Sequence, residues 1–102
     1  LRWLLTGEAF TAAQAEAMGI VSEVVPDDQV MERSVVLARK IAAQPAKAVT
    51  AIREAIRAGD NAPLETALMI ENRLFQMLFA TADQREGMGA FLEKREPSFT
   101  GK

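Results

Sequence analysis

The chain has 102 residues, a formal net charge of −2, and neither cysteine nor histidine. This charge gives no electrostatic basis for binding DNA or an anionic membrane surface, so we expect neither partner. Without cysteine and histidine, these residues cannot form a disulfide framework, a thiolate or imidazole metal site, or a histidine-dependent triad. No apolar run approaches the ~20 residues of a membrane span and no signal peptide is visible, so we expect a cytoplasmic protein.

The beginning of the chain predicts two short helices. Residues Leu1–Leu5 have the pattern of the last turns of a helix, which Gly7 ends. Thr11 and Gln14 then form a capping-box pattern, in which each residue hydrogen-bonds the backbone of the other. Gly19 is placed to stop this second helix in a left-handed conformation.

Segment 20–25 is the only strand candidate. Its sequence, Ile20-Val-Ser-Glu-Val-Val25, is rich in β-branched residues and partly alternating, and Pro26 follows it. Such a pattern favours a short extended element.

Helical periodicity dominates after Pro26. The first predicted helix is capped by Asp27 or Asp28 and ends before Pro45, the second runs from Pro45 to Gly59, and the third from about Pro63 to Phe79. Thr81 and Gln84 repeat the capping-box pattern, so a last helix should begin near Asp83. We expect Gly87 to leave room beside Phe91, Lys94 and Arg95 to lie in the last turn, and Pro97 to block continuation.

The helix predicted over residues 63–79 carries apolar side chains around roughly half of its circumference, beyond an ordinary amphipathic stripe. This breadth indicates burial between two surfaces. Glu71 falls inside the apolar arc, where an unpaired carboxylate is costly, so we expect it to be held by an arginine or by backbone amides rather than to act as a catalyst. For Phe79 we expect core packing.

Three ordered segments, taken together, resemble the C-terminal end of the crotonase superfamily, and most closely the enoyl-CoA hydratases. They are Leu5-Thr-Gly-Glu8, the run from Ala12 to Pro26, and the pattern Glu71-x-x-x-Phe75-x-x-x-Phe79-x-Thr-x-Asp83-x-x-Glu-Gly87. The resemblance implies a mainly α chain, the helical C-terminal segment of a ClpP/crotonase-like fold with one short strand near 20–25. Residues 1–26 would end the crotonase core domain, and residues 27–102 would form a helical C-terminal domain used in oligomerisation and in the acyl-CoA site.

The same resemblance implies a function for a longer protein. Family members carry their catalytic residues upstream of the Leu-Thr-Gly segment, so we expect this chain to be the tail of such an enzyme and to hold no catalytic residue itself. Enoyl-CoA hydratases add water to the 2,3 double bond of enoyl-CoA thioesters in fatty acid metabolism. Other crotonase reactions, such as enoyl-CoA isomerisation, and a non-catalytic helical interaction module remain alternatives.

The positions that match the family's coenzyme A site are Phe75, Phe91 and Lys94. The resemblance implies that the lysine lies near the nucleotide phosphates, often facing a neighbouring subunit. Against this, the phenylalanines could be core residues and Lys94 a solvated residue that answers the helix dipole. Coenzyme A is part of the substrate, so we expect no cofactor and no metal. The resemblance also implies a homo-oligomer, a trimer or hexamer.

Overall fold

The computed structural model describes residues 2–102, which form six α-helices and one 3-10 helix. The α-helices are α1 (Arg2–Thr6), α2 (Ala12–Ala17), α3 (Val30–Ala42), α4 (Ala46–Gly59), α5 (Leu64–Leu78) and α6 (Ala82–Glu93), and the 3-10 helix (Asp27–Gln29) precedes α3. The mainly α prediction is confirmed. The predicted helix at Leu1–Leu5 is seen from Arg2 onward, and Leu1 lies outside the described residues.

Contacts between Cα atoms group the chain into two compact units that meet within α3, one ending at Val35 and the other running from Val36 to Lys102. The proposed boundary at residue 26, between the end of a core domain and a C-terminal domain, concerns a longer protein and stays a prediction. No helix within residues 2–102 is long and apolar enough to cross a membrane.

In the first unit, local capping interactions set the ends of the helices. The Thr11 hydroxyl accepts a hydrogen bond from the Gln14 N–H (3.2 Å), and the Gln14 side-chain oxygen accepts one from the Thr11 N–H (2.8 Å), so the predicted capping box is confirmed. Gly7 and Gly19 have positive φ angles of 67° and 71°, a conformation that glycine adopts without steric cost. The rings of Trp3 and Phe10 stack with centroids 4.5 Å apart.

The predicted strand at 20–25 is wrong. Residues 2–102 contain no strand, and this segment is a bend followed by irregular backbone. A strand needs a partner to receive its backbone hydrogen bonds, and the described part of the chain offers no second strand. Instead, the Val24 N–H donates to the side chain of Glu16 (Oε1, 3.2 Å).

In the second unit, α4 packs against α5. The two helices approach closely where the chain turns. A Cβ placed on Gly59 would lie only 3.4 Å from the Cβ of Ala67. Apolar burial within each unit is nevertheless small: Ala15 and Ala90 are the buried hydrophobic residues of the part described. Many large apolar side chains are exposed, among them Leu64 (74 %) and Leu68 (54 %) on α5. Exposed apolar surface of this kind is typical of sites that contact another protein, a membrane or a ligand.

Candidate functional site: an apolar groove closed by the C-terminal tail

An apolar groove of about 380 Å³ lies within the second unit. It is bounded by the start of α4, the end of α5, α6 and the residues that follow α6. Its lining includes Pro45, Lys47, Phe75, Phe79, Met88 and Phe99. Aromatic and aliphatic walls with few polar groups are typical of sites that bind small molecules.

Thr81 fixes the sharp turn between α5 and α6 at one edge of this groove. Its side chain is buried, donates a hydrogen bond to the Leu78 carbonyl (2.7 Å), and accepts one from the Gln84 N–H (3.1 Å). The N-cap predicted at Thr81 is confirmed, and α6 begins at Ala82. The predicted capping box is incomplete, because the Thr81 N–H donates to the Leu78 carbonyl (3.0 Å) and not to the Gln84 side chain. At the end of α5, the rings of Phe75 and Phe79 meet edge to face, with centroids 5.2 Å apart. This turn therefore presents two aromatic side chains to the groove.

Asp83 is the buried charged residue of the groove, with a relative exposure of 3 %. Its carboxylate accepts hydrogen bonds from the N–H of Thr100 (2.7 Å), the N–H of Gly101 (2.8 Å) and the Thr100 hydroxyl (3.3 Å). The backbone hydrogen bond from Thr100 is the largest cause of a lowered pKa of the Asp83 carboxyl, and the nearby charge of Lys47 lowers this pKa further. Both oxygens are occupied and the group stays ionised, so Asp83 is poorly suited to act as a general acid or base near neutral pH.

Glu86 lies one turn after Asp83 on α6 and binds the residues that follow this helix. The Arg95 guanidinium donates to both of its carboxylate oxygens (2.6 and 2.9 Å), and the Ser98 N–H donates to Oε1 (2.8 Å). The hydrogen bonds from Arg95, and after them the one from Ser98, lower the pKa of Glu86 to about 2. The same pairing, together with a contact to Glu93, raises the pKa of Arg95. This fork-shaped ion pair holds the chain where it leaves the helix.

The structure places the three predicted coenzyme A contacts at different positions. Phe75 lines the groove, with 60 % of its surface exposed. Phe91 lies on α6 with 79 % exposed, and neither it nor Lys94 is part of the groove lining. Lys94 is not in the last turn as expected: α6 ends at Glu93, and Lys94 is the left-handed C-cap residue (φ 55°, ψ 40°). The assignment of all three to a coenzyme A site stays a prediction.

Other expectations about burial are wrong. Glu71 is exposed, so its carboxylate needs no buried partner within this chain. Phe79 is 54 % exposed rather than packed in a core. The space beside Gly87 is taken by Phe99, whose ring atoms lie 3.5 and 3.8 Å from the position of a Cβ on Gly87, and not by Phe91. The periodicity of a helix indicates which residues share a face, but it does not identify what covers that face.

Sequence reasoning missed the contribution of Phe99 and the anchoring role of Asp83. The sequence predicts only a helix start near Asp83, whereas its hydrogen bonds connect Asp83 to residues 17 and 18 positions later. The available signal was Pro97, which prevents helix continuation and leaves an aromatic residue two positions further on. Within residues 2–102, no group of three or more acidic, histidine or cysteine side chains is arranged to hold a metal ion.

Comparison with known proteins gives a consistent result. The profile of the enoyl-CoA hydratase/isomerase family matches residues 2–102. The 2,3-dehydroadipyl-CoA hydratase of Escherichia coli K12 is 41 % identical over 101 residues, which are 99 % of this chain and 40 % of that protein. A probable enoyl-CoA hydratase of Mycobacterium bovis is 43 % identical over 97 residues, covering 95 % of this chain and 38 % of that protein.

A solved structure agrees in fold as well as in sequence. The crystal structure of enoyl-CoA hydratase subunit I from Geobacillus kaustophilus superposes with a TM-score of 0.95 at 45 % identity, covering 100 % of this chain and 40 % of that one. The chain thus spans about 40 % of the length of the relatives it matches. Since the family profile extends over residues 2–102, the chain belongs to the enoyl-CoA hydratase/isomerase family of the crotonase superfamily.

Proposed function

We propose that this chain is the C-terminal part of an enoyl-CoA hydratase that adds water across the 2,3 double bond of an enoyl-CoA thioester in fatty acid metabolism. The observation that carries this proposal is the similarity to proteins named as hydratases along 95 % to 99 % of the chain. The product would be a 3-hydroxyacyl-CoA. Coenzyme A enters as part of the substrate, and no further cofactor is proposed.

The catalytic groups of this reaction would lie in the remainder of the protein. By resemblance to the family, two glutamates would position and activate water, and two backbone amides would stabilise the charge that develops on the thioester oxygen. In the groove described here, the buried carboxylate of Asp83 is occupied by backbone amides. This supports a role in binding rather than in the chemical step.

For substrate binding we propose Phe75, Phe91 and Lys94. The phenylalanines would offer apolar surface to the pantetheine or the adenine, and the Lys94 ammonium would lie near the nucleotide phosphates. The three residues are exposed in the structure, which leaves their side chains available to a ligand or to a neighbouring protein surface.

The exposed apolar side chains support a further part of the proposal. The rest of the protein and a second subunit would cover them, giving a cytoplasmic homo-oligomer such as a trimer or hexamer. Leu64 and Leu68 on α5, exposed by 74 % and 54 %, are candidates for this contact. In a helix with apolar side chains on half of its circumference, one partner surface is too narrow to cover them all.

The reaction can be tested directly with the protein that contains this chain. Hydration of crotonyl-CoA consumes the conjugated enoyl thioester, and the loss of its absorbance measures turnover. A 3-enoyl-CoA provides the matched comparison, since an isomerase would create the conjugated absorbance from it. Turnover of the 3-enoyl-CoA without hydration of crotonyl-CoA would replace the hydratase proposal with an isomerase.

A further inference from the structure

The last residues of the chain form a tail, residues 97–102, that has no regular secondary structure but runs back along α6. Its backbone is bound at several points. The Ser98 N–H donates to Glu86, the Thr100 and Gly101 N–H groups donate to Asp83, and the Lys102 carbonyl accepts from the Ala82 N–H (2.9 Å). An irregular segment with this many hydrogen bonds has a defined position.

Asp83 and the tail depend on each other. The carboxylate is 3 % exposed, and a buried charge without partners is strongly unfavourable. Its hydrogen-bond donors come from the tail at Thr100 and Gly101. Displacement of the tail would leave an ionised group without these donors, so the buried charge holds the tail down.

The tail in turn completes the groove. Phe99 lies over Gly87 and forms part of the groove lining, as does Phe75 on α5. Gly101 has a φ of 79°, and a Cβ at this position would meet the Cβ of Ala46, the first residue of α4, at 3.6 Å. The tail therefore connects α6 with the start of α4, and the Phe99 side chain forms one wall of the groove.

A second attachment lies where α6 ends. The Arg95 N–H donates to the Ala90 carbonyl (3.0 Å), and its guanidinium is held by both carboxylate oxygens of Glu86. Lys94 lies directly before this anchored residue, and its own N–H donates to the Phe91 carbonyl (3.3 Å). The backbone of Lys94 is thus fixed from both sides in its left-handed conformation.

We propose that Asp83 and Glu86 are positioning residues for the acyl-CoA thioester: they fasten the C-terminal tail so that Phe99 stays in the wall of the groove and Lys94 keeps its direction. Neither carboxylate touches the ligand. This inference rests on the proposed function, because it assigns the groove and the end of α6 to substrate binding. Loss of either anchor should weaken binding and leave the chemical step nearly unchanged.

The test compares Asp83→Asn with Asp60→Asn in the protein that contains this chain. Asp60 is an exposed residue at the end of α4, outside the groove, so this control makes the same chemical change without touching the tail. Hydrogen exchange of the Thr100 and Gly101 amides reports attachment of the tail. For Asp83→Asn we expect faster exchange at both amides and a KM for crotonyl-CoA raised about tenfold, with kcat within about twofold of the parent. Asp60→Asn should match the parent in all three quantities.

Phe99→Ala separates the wall from the anchor, because it leaves the Asp83 carboxylate and its backbone donors in place. In Phe99→Ala we expect the Thr100 and Gly101 amides to exchange as slowly as in the parent, while the KM for crotonyl-CoA is raised. The inference is overturned if Asp83→Asn releases the tail but leaves KM unchanged, if its tail amides exchange no faster than those of the parent, or if Phe99→Ala leaves KM unchanged.

Failure of the proposed function has a different signature. A parent protein that neither hydrates crotonyl-CoA nor binds coenzyme A in calorimetry would refute both the hydratase proposal and the inference that rests on it. A parent that hydrates crotonyl-CoA, with variants of unchanged KM, would refute the positioning role alone.

Discussion

Replacing Lys94 with glycine should stabilise the end of α6 while weakening coenzyme A binding. Lys94 has φ 55° and ψ 40°, a left-handed conformation that costs a non-glycine residue about 1 to 2 kcal/mol. Glycine avoids this steric cost but loses about 0.5 to 1 kcal/mol through its greater freedom in the unfolded chain. The difference predicts that Lys94→Gly increases the free energy of unfolding by up to about 1.5 kcal/mol. Lys94→Ala keeps the strain and should be less stable than the glycine variant.

Coenzyme A binding should respond to the substitution of Lys94 differently from the free energy of unfolding. If the Lys94 ammonium contacts a phosphate, its loss removes a charge-assisted interaction worth about 1.5 to 3 kcal/mol when well formed, and less when exposed to water. This corresponds to an increase in KM of up to about ten- to a hundredfold. The contact is remote from the reacting carbons and similar in ground and transition states, so kcat should change little. The glycine and alanine variants should therefore share a raised KM although their stabilities differ.

Three measurements check this reasoning in the protein that contains the chain. Urea unfolding gives the order of stability, and initial rates with crotonyl-CoA give KM and kcat. Crotonyl-pantetheine, which lacks the nucleotide, is the control substrate and should be affected little by either variant. Lys94→Arg keeps the charge and should retain most of the affinity. A wild-type KM in both neutral variants would refute the phosphate role, and an alanine variant more stable than the glycine variant would refute the strain argument.

Residues 1–102 alone should not hydrate crotonyl-CoA, because the proposed acid, base and oxyanion donors lie elsewhere; measurable turnover by the purified chain would contradict this. The isolated chain should also self-associate through its exposed apolar surface, and Leu64→Glu with Leu68→Glu should disperse it in light scattering. Glu86 has a lowered pKa of about 2 against an ordinary 4.5, so its stabilisation of the tail is complete above pH 4.5 and is lost as the pH falls toward 2. Exchange at the Ser98 amide, after correction for the intrinsic pH effect, should stay constant above pH 5 and rise below 4.

The elements predicted correctly are those that short-range interactions determine. The capping box of Thr11 and Gln14 lies within four consecutive residues, and Gly7 and Gly19 end their helices through their own backbone freedom. Helical periodicity likewise predicted the helices from α3 to α6 close to their observed ends. Each of these features depends on neighbours that can be read directly from the order of residues.

The features predicted incorrectly depend on partners that are distant in sequence. Segment 20–25 has the composition of a strand, but residues 2–102 contain no second strand to pair with it. The apolar helical neighbours of Glu71 predict its burial, yet Glu71 is exposed and the surface that would cover this part of α5 is not supplied within residues 2–102. Pro97 indicates that the helix ends before Phe99, but no local pattern specifies that the chain then reverses along α6.

The tail is only six residues long, yet its polar contacts with α6 determine the shape of the groove. Hydrophobic burial within the second unit is slight, because most large apolar side chains of α5 and α6 remain exposed. The shape of the groove therefore depends on polar contacts that are specific in direction, chiefly those of Asp83 and Glu86 with the tail. Removing the charge of a buried carboxylate weakens all the hydrogen bonds that it accepts at once, whereas an apolar contact weakens gradually with lost area. Substitution of one carboxylate should for this reason alter the groove more sharply than truncation of an exposed leucine on α5.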